Sequence, residues 1–228
     1  MQNNGRHDSP RLRAFYRIRD AIFNSKLLPG DPLRELHLAK ELQVSQATVR
    51  EALIRLEHSG LVVRVANSGS RVTDLSKEDI RQRLEIRSEL EQMAAAAALR
   101  RADDFFFAGL KDKVAAIAAA AARRDPFLLS ESDFDFHRFI WGRCGNKVLM
   151  DTLEQVSAPL FAFVGLLRSR RGVRRSLASV VAAHRSMIDA FSAGSEDQVR
   201  EEVHQHMYRF QGGFFGVAPS QPPPPEAA

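Results

Sequence analysis

Asp133 and His137 stand four residues apart, one helical turn, so on a helix they share a face. Ile140 and Cys144 continue that stripe, which makes it the buried side. Two more histidines lie on apolar stripes of the same kind. His184 falls among Leu177, Val180, Val181, Ile188 and Phe191, and His206 among Val199, Val203 and Phe210. His204 falls about 140° from Val199, at about 100° per residue, and points outward. A polar side chain placed inside must be paired. For any one of these histidines alone, a bond to a backbone carbonyl is the ordinary answer. Three imidazoles and a carboxylate from three helices, facing one interior, instead suit a divalent transition metal. That ligand set fits zinc, nickel, iron or manganese with positions left open. One carboxylate leaves such a dication with a net positive charge that an anionic ligand could complete.

Arg87 lies on the stripe Ile80, Leu84, Arg87, Glu91 and Ala94. A guanidinium on an inward face either pairs with Glu91, four residues on, or serves as a fork for a ligand carboxylate. Arg168, Arg170, Arg171, Arg174 and Arg175 form a charge run that reads as a solvated junction between helices. Phe105, Phe106 and Phe107, with Phe134, Phe136 and Phe139, read as core and interface packing.

The elements that must position these groups are helical throughout. Apolar periodicity predicts helices near 76–101, 103–124, 127–143, 146–170, 175–193 and 195–211, with no strand signal among them. Ser76-Lys77-Glu78-Asp79 has the form of a capping box at the start of the first. Ala94–Ala98 and the alanine-rich run 115–122 are strong, closely packing helix formers. Pro159 is expected to kink or divide the fourth helix. The expectation is an all-α bundle of six to seven helices over 76–212, followed by a Pro-rich flexible tail over 213–228.

The first third of the chain differs. After a polar, frayed segment over 1–9, a helix begins at Pro10, with Ala14, Ile18, Ala21 and Ile22 on one face, and ends in the turn Leu28-Pro29-Gly30-Asp31. Two short helical patterns then meet at Gln43-Val44-Ser45. Leu36, Ala39 and Leu42 form a stripe in the first; Val49, Ala52, Leu53 and Leu56 form one in the second. Ser45 is placed to cap the second helix, leaving Gln46 and Thr48 around its exposed first turn. This is how a helix-turn-helix presents a recognition helix to a DNA major groove. Leu61–Val65 and Ser70–Thr73 read as the strands of a hairpin whose tip is Ala66–Gly69. Residues 10–75 are therefore expected to form a winged helix-turn-helix. Asn67, Ser68, Ser70 and Arg71 near the tip suit a phosphate backbone or minor groove.

The charge balance agrees weakly. Lys and Arg total 33 against 28 Asp and Glu in 228 residues, and residues 1–75 hold 12 and 8 of them. Most of the positive excess thus lies beside the helix-turn-helix, as phosphate binding requires. One cysteine, Cys144, excludes an intrachain disulfide and a multi-cysteine zinc site. The longest apolar run, Ala158–Leu167, is well short of the ~20 residues of a membrane helix, and a cytoplasmic protein is expected.

Val44-Ser45-Gln46-Ala47-Thr48-Val49-Arg50-Glu51-Ala52-Leu53, followed by Leu56-Glu57-His58-Ser59-Gly60-Leu61-Val62, resembles the DNA-binding domain of GntR-family bacterial transcription regulators. The bundle resembles the FCD ligand-binding domain of the FadR subfamily. Asp133-Phe134-Asp135-Phe136-His137 with Gly145-Asn146 matches its first metal-ligand motif, and Glu85-Ile86-Arg87 the motif of its first helix. His184 and His206 match the later ligand positions.

The resemblance implies a homodimer, commonly a repressor, that binds a palindromic double-stranded DNA operator and releases it on binding a small carboxylate beside zinc or nickel. Asp133, His137, His184 and His206 are then the metal ligands, and Arg87 and Asn146 the effector contacts. The DNA contacts are Arg34, Ser45, Gln46, Thr48, Arg50 and the wing residues Asn67, Ser68, Gly69 and Arg71. The chain departs from the pattern at three places. The family often has Arg where Gln46 stands, Pro at Thr48, and Arg at Ser68 before the wing glycine. Loss of a guanidinium that pairs with guanine implies a different operator preference. Helical phase places Arg50 on the flank of the outward face, nearer phosphate than base. Two other readings compete with a metal-containing switch. One is a metal-dependent hydrolase carrying a DNA-binding module, although the chain has no HExxH pattern and Asp135 points off the ligand stripe. The other is a regulator without metal, whose histidines bind the effector or only pack.

Overall fold

The computed structural model describes residues 9–171 and 177–207. Expectations for the N-terminal eight residues, Arg174, Arg175, Phe210 and the tail over 213–228 lie outside them. Helix α1 (Pro10–Phe23) opens with Ser9 accepting from Leu12 N and with Pro10 in its first turn, where a missing N–H costs nothing. It buries Ala14, Ile18, Ile22 and Phe23. The turn at Leu28–Asp31 leads into a two-residue strand β1 (Pro32–Leu33), then α2 (Glu35–Leu42) and α3 (Gln46–His58). Between the two helices Gln43 takes a left-handed conformation, and Ser45 accepts from Thr48 N to cap α3. Strands β2 (Val62–Val65) and β3 (Gly69–Val72) form the wing.

Two expectations are corrected in this domain. The sheet has three strands, in the order β1-β3-β2, because Pro32 and Leu33 pair antiparallel with Arg71 and Ser70. Proline is tolerated there because β1 is an edge. The inward stripe of α2 runs through Leu38, with Ala39 and Leu42 half-buried, while Leu36 is 65% exposed. In an eight-residue helix the 3–4 spacing admits both phases, and docking against α3 selects the second.

Six helices follow: α4 (Lys77–Leu99), α5 (Asp104–Ala122), α6 (Pro126–Gly142), α7 (Lys147–Arg171), α8 (Leu177–Ala193) and α9 (Glu196–Met207). The capping box at Ser76 and Asp79 is formed in both directions. Pro159 does not divide α7, which runs through it. Proline removes the N–H that Gln155 O would have received, and Arg83 of α4 supplies the replacement, its Nη1 lying 3.2 Å from both Gln155 O and Val156 O.

The two domains share one apolar core. Gly60, at the end of the recognition helix, rests on the same Gln155 carbonyl; a Cβ there would lie 2.5 Å from it. Phe23 of α1 packs on Phe134 of α6 at 5.7 Å between rings, one residue from Asp133, and Arg19 pairs with Glu131 at 2.8 Å. The N-terminal domain is thus seated directly on the helix that carries the first candidate ligand.

Candidate metal centre and nucleic-acid interface

The helical stripes place Asp133 and His137 on α6, His184 on α8 and His206 on α9, and these four side chains meet. Each offers a ligand atom within 4.8 Å of all the others, and the three imidazoles are buried to 3% exposure or less. The neighbouring groups decide what each ring nitrogen can do. His137 Nδ1 lies 2.8 Å from Glu91 Oε2, so it carries the proton and donates, because a carboxylate only accepts. His184 Nδ1 lies 2.8 Å from Val180 O and donates for the same reason. In a neutral ring the Nε2 atoms are then lone pairs, and both face the same Asp133 oxygen, His184 at 3.1 Å and His137 at 3.5 Å. Lone pairs converging on an anion require a cation between them, either a proton on a ring or a metal. Among the described residues, buried His137 Nε2 has no hydrogen-bond partner, as a ligand atom would.

The protonation preferences follow from this crowding. Burial pushes the Asp133 carboxyl up, but the close approach of the His137 and His184 imidazoles and the charge of Arg168 outweigh it and hold the group well below its usual value. Burial likewise disfavours charge on His137, yet Glu91 prevails and its pKa is raised. His206 is driven well below the usual histidine value by burial and by the two neighbouring imidazoles, so it presents a neutral lone pair.

Two charged groups at this centre were not assigned there from sequence. Glu91 accepts from His137 and from Arg87 Nε at 2.5 Å, and although burial opposes its charge, Arg87 and His137 hold its pKa at about 2. It fixes the tautomer and direction of the His137 ring, as carboxylates behind metal-bound histidines do. Arg168, expected in a solvated charge run, is 6% exposed, with Nη2 3.5 Å from Asp133 Oδ2. Of the same run, Arg170 is exposed.

Arg87 makes the ion pair with Glu91 that its spacing allowed. It is fully buried, its guanidinium lies 4.5 Å from the Phe161 ring centroid, and its Nη1 has no hydrogen-bond partner among the described residues. Asn146 is not brought to the cluster. It is exposed, and its Oδ1 accepts from Leu149 N at 3.1 Å, capping the first turn of α7.

At the other end, Arg34, Ser45, Gln46, Arg50, Asn67, Ser68 and Gly69 are exposed. Thr48 is half-buried, its hydroxyl 2.9 Å from that of Ser45. Gln46 and Arg50 are both tied to Glu35 of α2. Asn67 and Gly69 take positive φ at the wing tip, where glycine or asparagine is accommodated with little strain. Arg71 is half-buried and donates to Gly30 O at 3.2 Å, which ties the wing to the turn before β1. A groove between the helices and the wing is lined by Arg34, Arg50, Arg71 and also Arg64 of β2, which the sequence reading passed over as an ordinary strand residue.

A helix-turn-helix with a basic wing groove, seated on a helical bundle with a buried polar centre, defines a DNA-binding regulator with a sensing domain. Comparison with known proteins gives the family. Residues 10–72 match the gntR family of bacterial regulatory proteins, and residues 82–209 match the FCD domain. The chain belongs to the GntR family of transcriptional regulators and carries an FCD domain.

It is 25% identical over 186 residues to the "Probable D-xylose utilization operon transcriptional repressor" of Paenarthrobacter nicotinovorans, covering 82% of this chain and 80% of that protein. The HTH-type transcriptional regulator YdhC of Bacillus subtilis is 35% identical over 83 residues, but these span 36% of this chain and only 37% of YdhC. Escherichia coli McbR/YncC has a solved structure with the same fold, at a TM-score of 0.77 and 21% identity over 91% of this chain and 98% of that one. Among the described residues no helix is long and apolar enough to cross a membrane.

Proposed function

We propose that this regulator is a homodimeric repressor of the FadR type. Its grip on a palindromic operator is set by a small carboxylate bound beside a divalent metal in the helical domain. The observation that carries the reading is the convergence of His137 Nε2 and His184 Nε2 on one Asp133 oxygen, with the neutral His206 beside them. Asp133, His137, His184 and His206 would hold the metal, and nitrogen-rich ligation of this kind favours zinc, with nickel, manganese or iron as alternatives. A metal held there would supply a Lewis-acidic position for a carboxylate oxygen.

The protein's own groups give the ligand its charge class. Arg87 and Arg168 balance Glu91 and Asp133, so a dication with neutral imidazoles leaves the centre two charges positive, and an anion is what completes it. Arg87 Nη1, buried and unspent, is the donor that supports its assignment to the effector carboxylate. Asn146, serving as a helix cap, is left out of that set.

Switching needs a part that both sites touch. Phe23 against Phe134 and Gly60 against Gln155 join the DNA-binding domain to α6 and α7, in addition to the direct continuation from the wing into α4. A carboxylate that draws Arg87 or Arg168 would shift these helices and so alter the spacing of the two recognition helices in the dimer. A ligand changes an equilibrium only by its differential affinity for the two states. The test is metal analysis of purified protein and of His184→Ala and His206→Ala, followed by operator binding with and without small carboxylates. One metal per chain, lost in both variants, together with carboxylate-dependent operator affinity, is expected. Metal-free protein with a normal carboxylate response would remove the metal from the mechanism.

A further inference from the structure

The first turn of the recognition helix carries three polar side chains, and two are already committed. Ser45 Oγ accepts from Thr48 N at 3.1 Å, and the two hydroxyls lie 2.9 Å apart, so both serve the cap. The third, Gln46, is exposed but not free to turn. Its Nε2 donates to Glu35 Oε2 at 2.9 Å, across from α2. The carboxylate itself settles the orientation of the amide, because a flipped amide would set Oε1 against an anion. Glu35 is held in turn by Arg50, whose Nε reaches Oε1 and Oε2 at 3.1 and 3.2 Å and whose Nη2 reaches Oε2 at 2.9 Å. The hydrogen bond from Arg50 keeps the Glu35 carboxyl below its usual value, against a partial opposing effect of burial. A carboxylate on a surface that must meet phosphates is unfavourable by itself, and here Arg50 neutralises it.

We propose that Glu35 is a specificity-determining residue that acts through Gln46, fixing its amide so that the recognition helix selects adenine and rejects guanine at one position of each half-site. This rests on the reading that Gln46 faces base edges in the major groove. With one Nε2 hydrogen given to Glu35, the amide presents Oε1 as an acceptor beside the remaining N–H. Adenine offers the matching N6 donor and N7 acceptor. Guanine offers only acceptors, O6 and N7, along that edge. An unrestrained glutamine could rotate its amide and donate to guanine, so the carboxylate on α2 turns an ambivalent side chain into a discriminating one. Glu35 touches no base in this account; it is a positioning residue.

The test is selection of binding sites by the full-length protein from a random duplex library, run in parallel on wild type, Glu35→Gln, Gln46→Ala and the double variant. Wild type is expected to show adenine over guanine by about 10-fold or more at one position per half-site, the scale of a bidentate base contact. Glu35→Gln, which keeps the shape of the side chain and removes its charge, should reduce that ratio below about 3-fold and leave the other positions unchanged. Gln46→Ala should lose the preference at the same position, and adding Glu35→Gln should change nothing further there, as expected of two residues that act as a unit. An unaltered preference in Glu35→Gln, while Gln46→Ala loses it, would overturn the role of Glu35 and leave base reading by Gln46 intact. A wild-type protein that selects no sequence at all would instead overturn the DNA-reading assignment beneath it. Circular dichroism matched to wild type confirms that each variant is folded.

Discussion

The buried centre and the DNA-facing surface use the same small device in opposite surroundings. In the bundle, Glu91 accepts from Arg87 and orients His137; on the helix-turn-helix, Glu35 accepts from Arg50 and orients Gln46. Glu91 has a side chain 3% exposed and Glu35 one that is 26% exposed. That difference decides what each carboxylate is for. In a low-dielectric interior an unpaired partner carries its full desolvation cost, so Glu91 is tied to the stability of the fold as well as to the direction of the His137 ring. At the surface, water and salt replace a lost partner cheaply, so Glu35 can contribute direction with little effect on stability.

The largest effect should come from removing the buried carboxylate. Glu91→Ala leaves Arg87 and His137 without their shared partner, and loss of about 3–5 kcal/mol in urea unfolding is expected. Glu35→Gln should leave the unfolding midpoint where it is. If both substitutions proved equally harmless, the contrast between the two sites would collapse. Acid should separate them in the same way. A glutamate with an ordinary value of ~4.3 that is held at about 2 in the fold stabilises it fully above the higher value. That contribution is lost as pH falls through the lower one, so the unfolding midpoint of wild type should decline over this window and that of Glu91→Gln less steeply.

A smaller effect is expected at the joint between the domains. Gly60 sits at φ +75° against Gln155 O, and Gly60→Ala should cost about 1–2 kcal/mol from the left-handed backbone, with more from the close approach to the carbonyl. Its distinguishing readout is coupling. Carboxylate binding followed by thermal shift should persist, while its effect on operator affinity weakens. Of similar size, Glu91→Gln in folded protein should lower metal affinity by about 10–100-fold, the usual result of removing the group that orients a ligating histidine.

The comparison also explains what the sequence made legible. Asp133, His137, His184 and His206 stood out because each interrupts an apolar stripe at helical spacing, and six helices with alanine-rich stretches left little doubt about periodicity. Glu91 was visible only as a partner for Arg87, since nothing in spacing tells a buried ion pair from a buried triad whose third member lies on another helix. Arg168 sat among arginines that looked solvated, and its inward turn depends on how α7 is rotated against α6. On the reading face, Gln46 and Arg50 could be placed by helical phase, but Glu35 reaches them across a tertiary contact 11 and 15 residues away. Strand β1 has two residues and no alternation to read, and α2 was too short to distinguish Leu36 from Leu38.

The central claim is that operator binding answers to the buried centre. It is tested most directly by operator affinity of metal-replete, full-length protein, measured by fluorescence anisotropy on a duplex recovered by selection, across a series of small carboxylates already shown to bind by thermal shift. Wild type should change its affinity at least several-fold with one of them, and His184→Ala should bind the same duplex with no response. A carboxylate that binds wild type yet leaves operator affinity unchanged, or a response that survives in His184→Ala, would contradict the account.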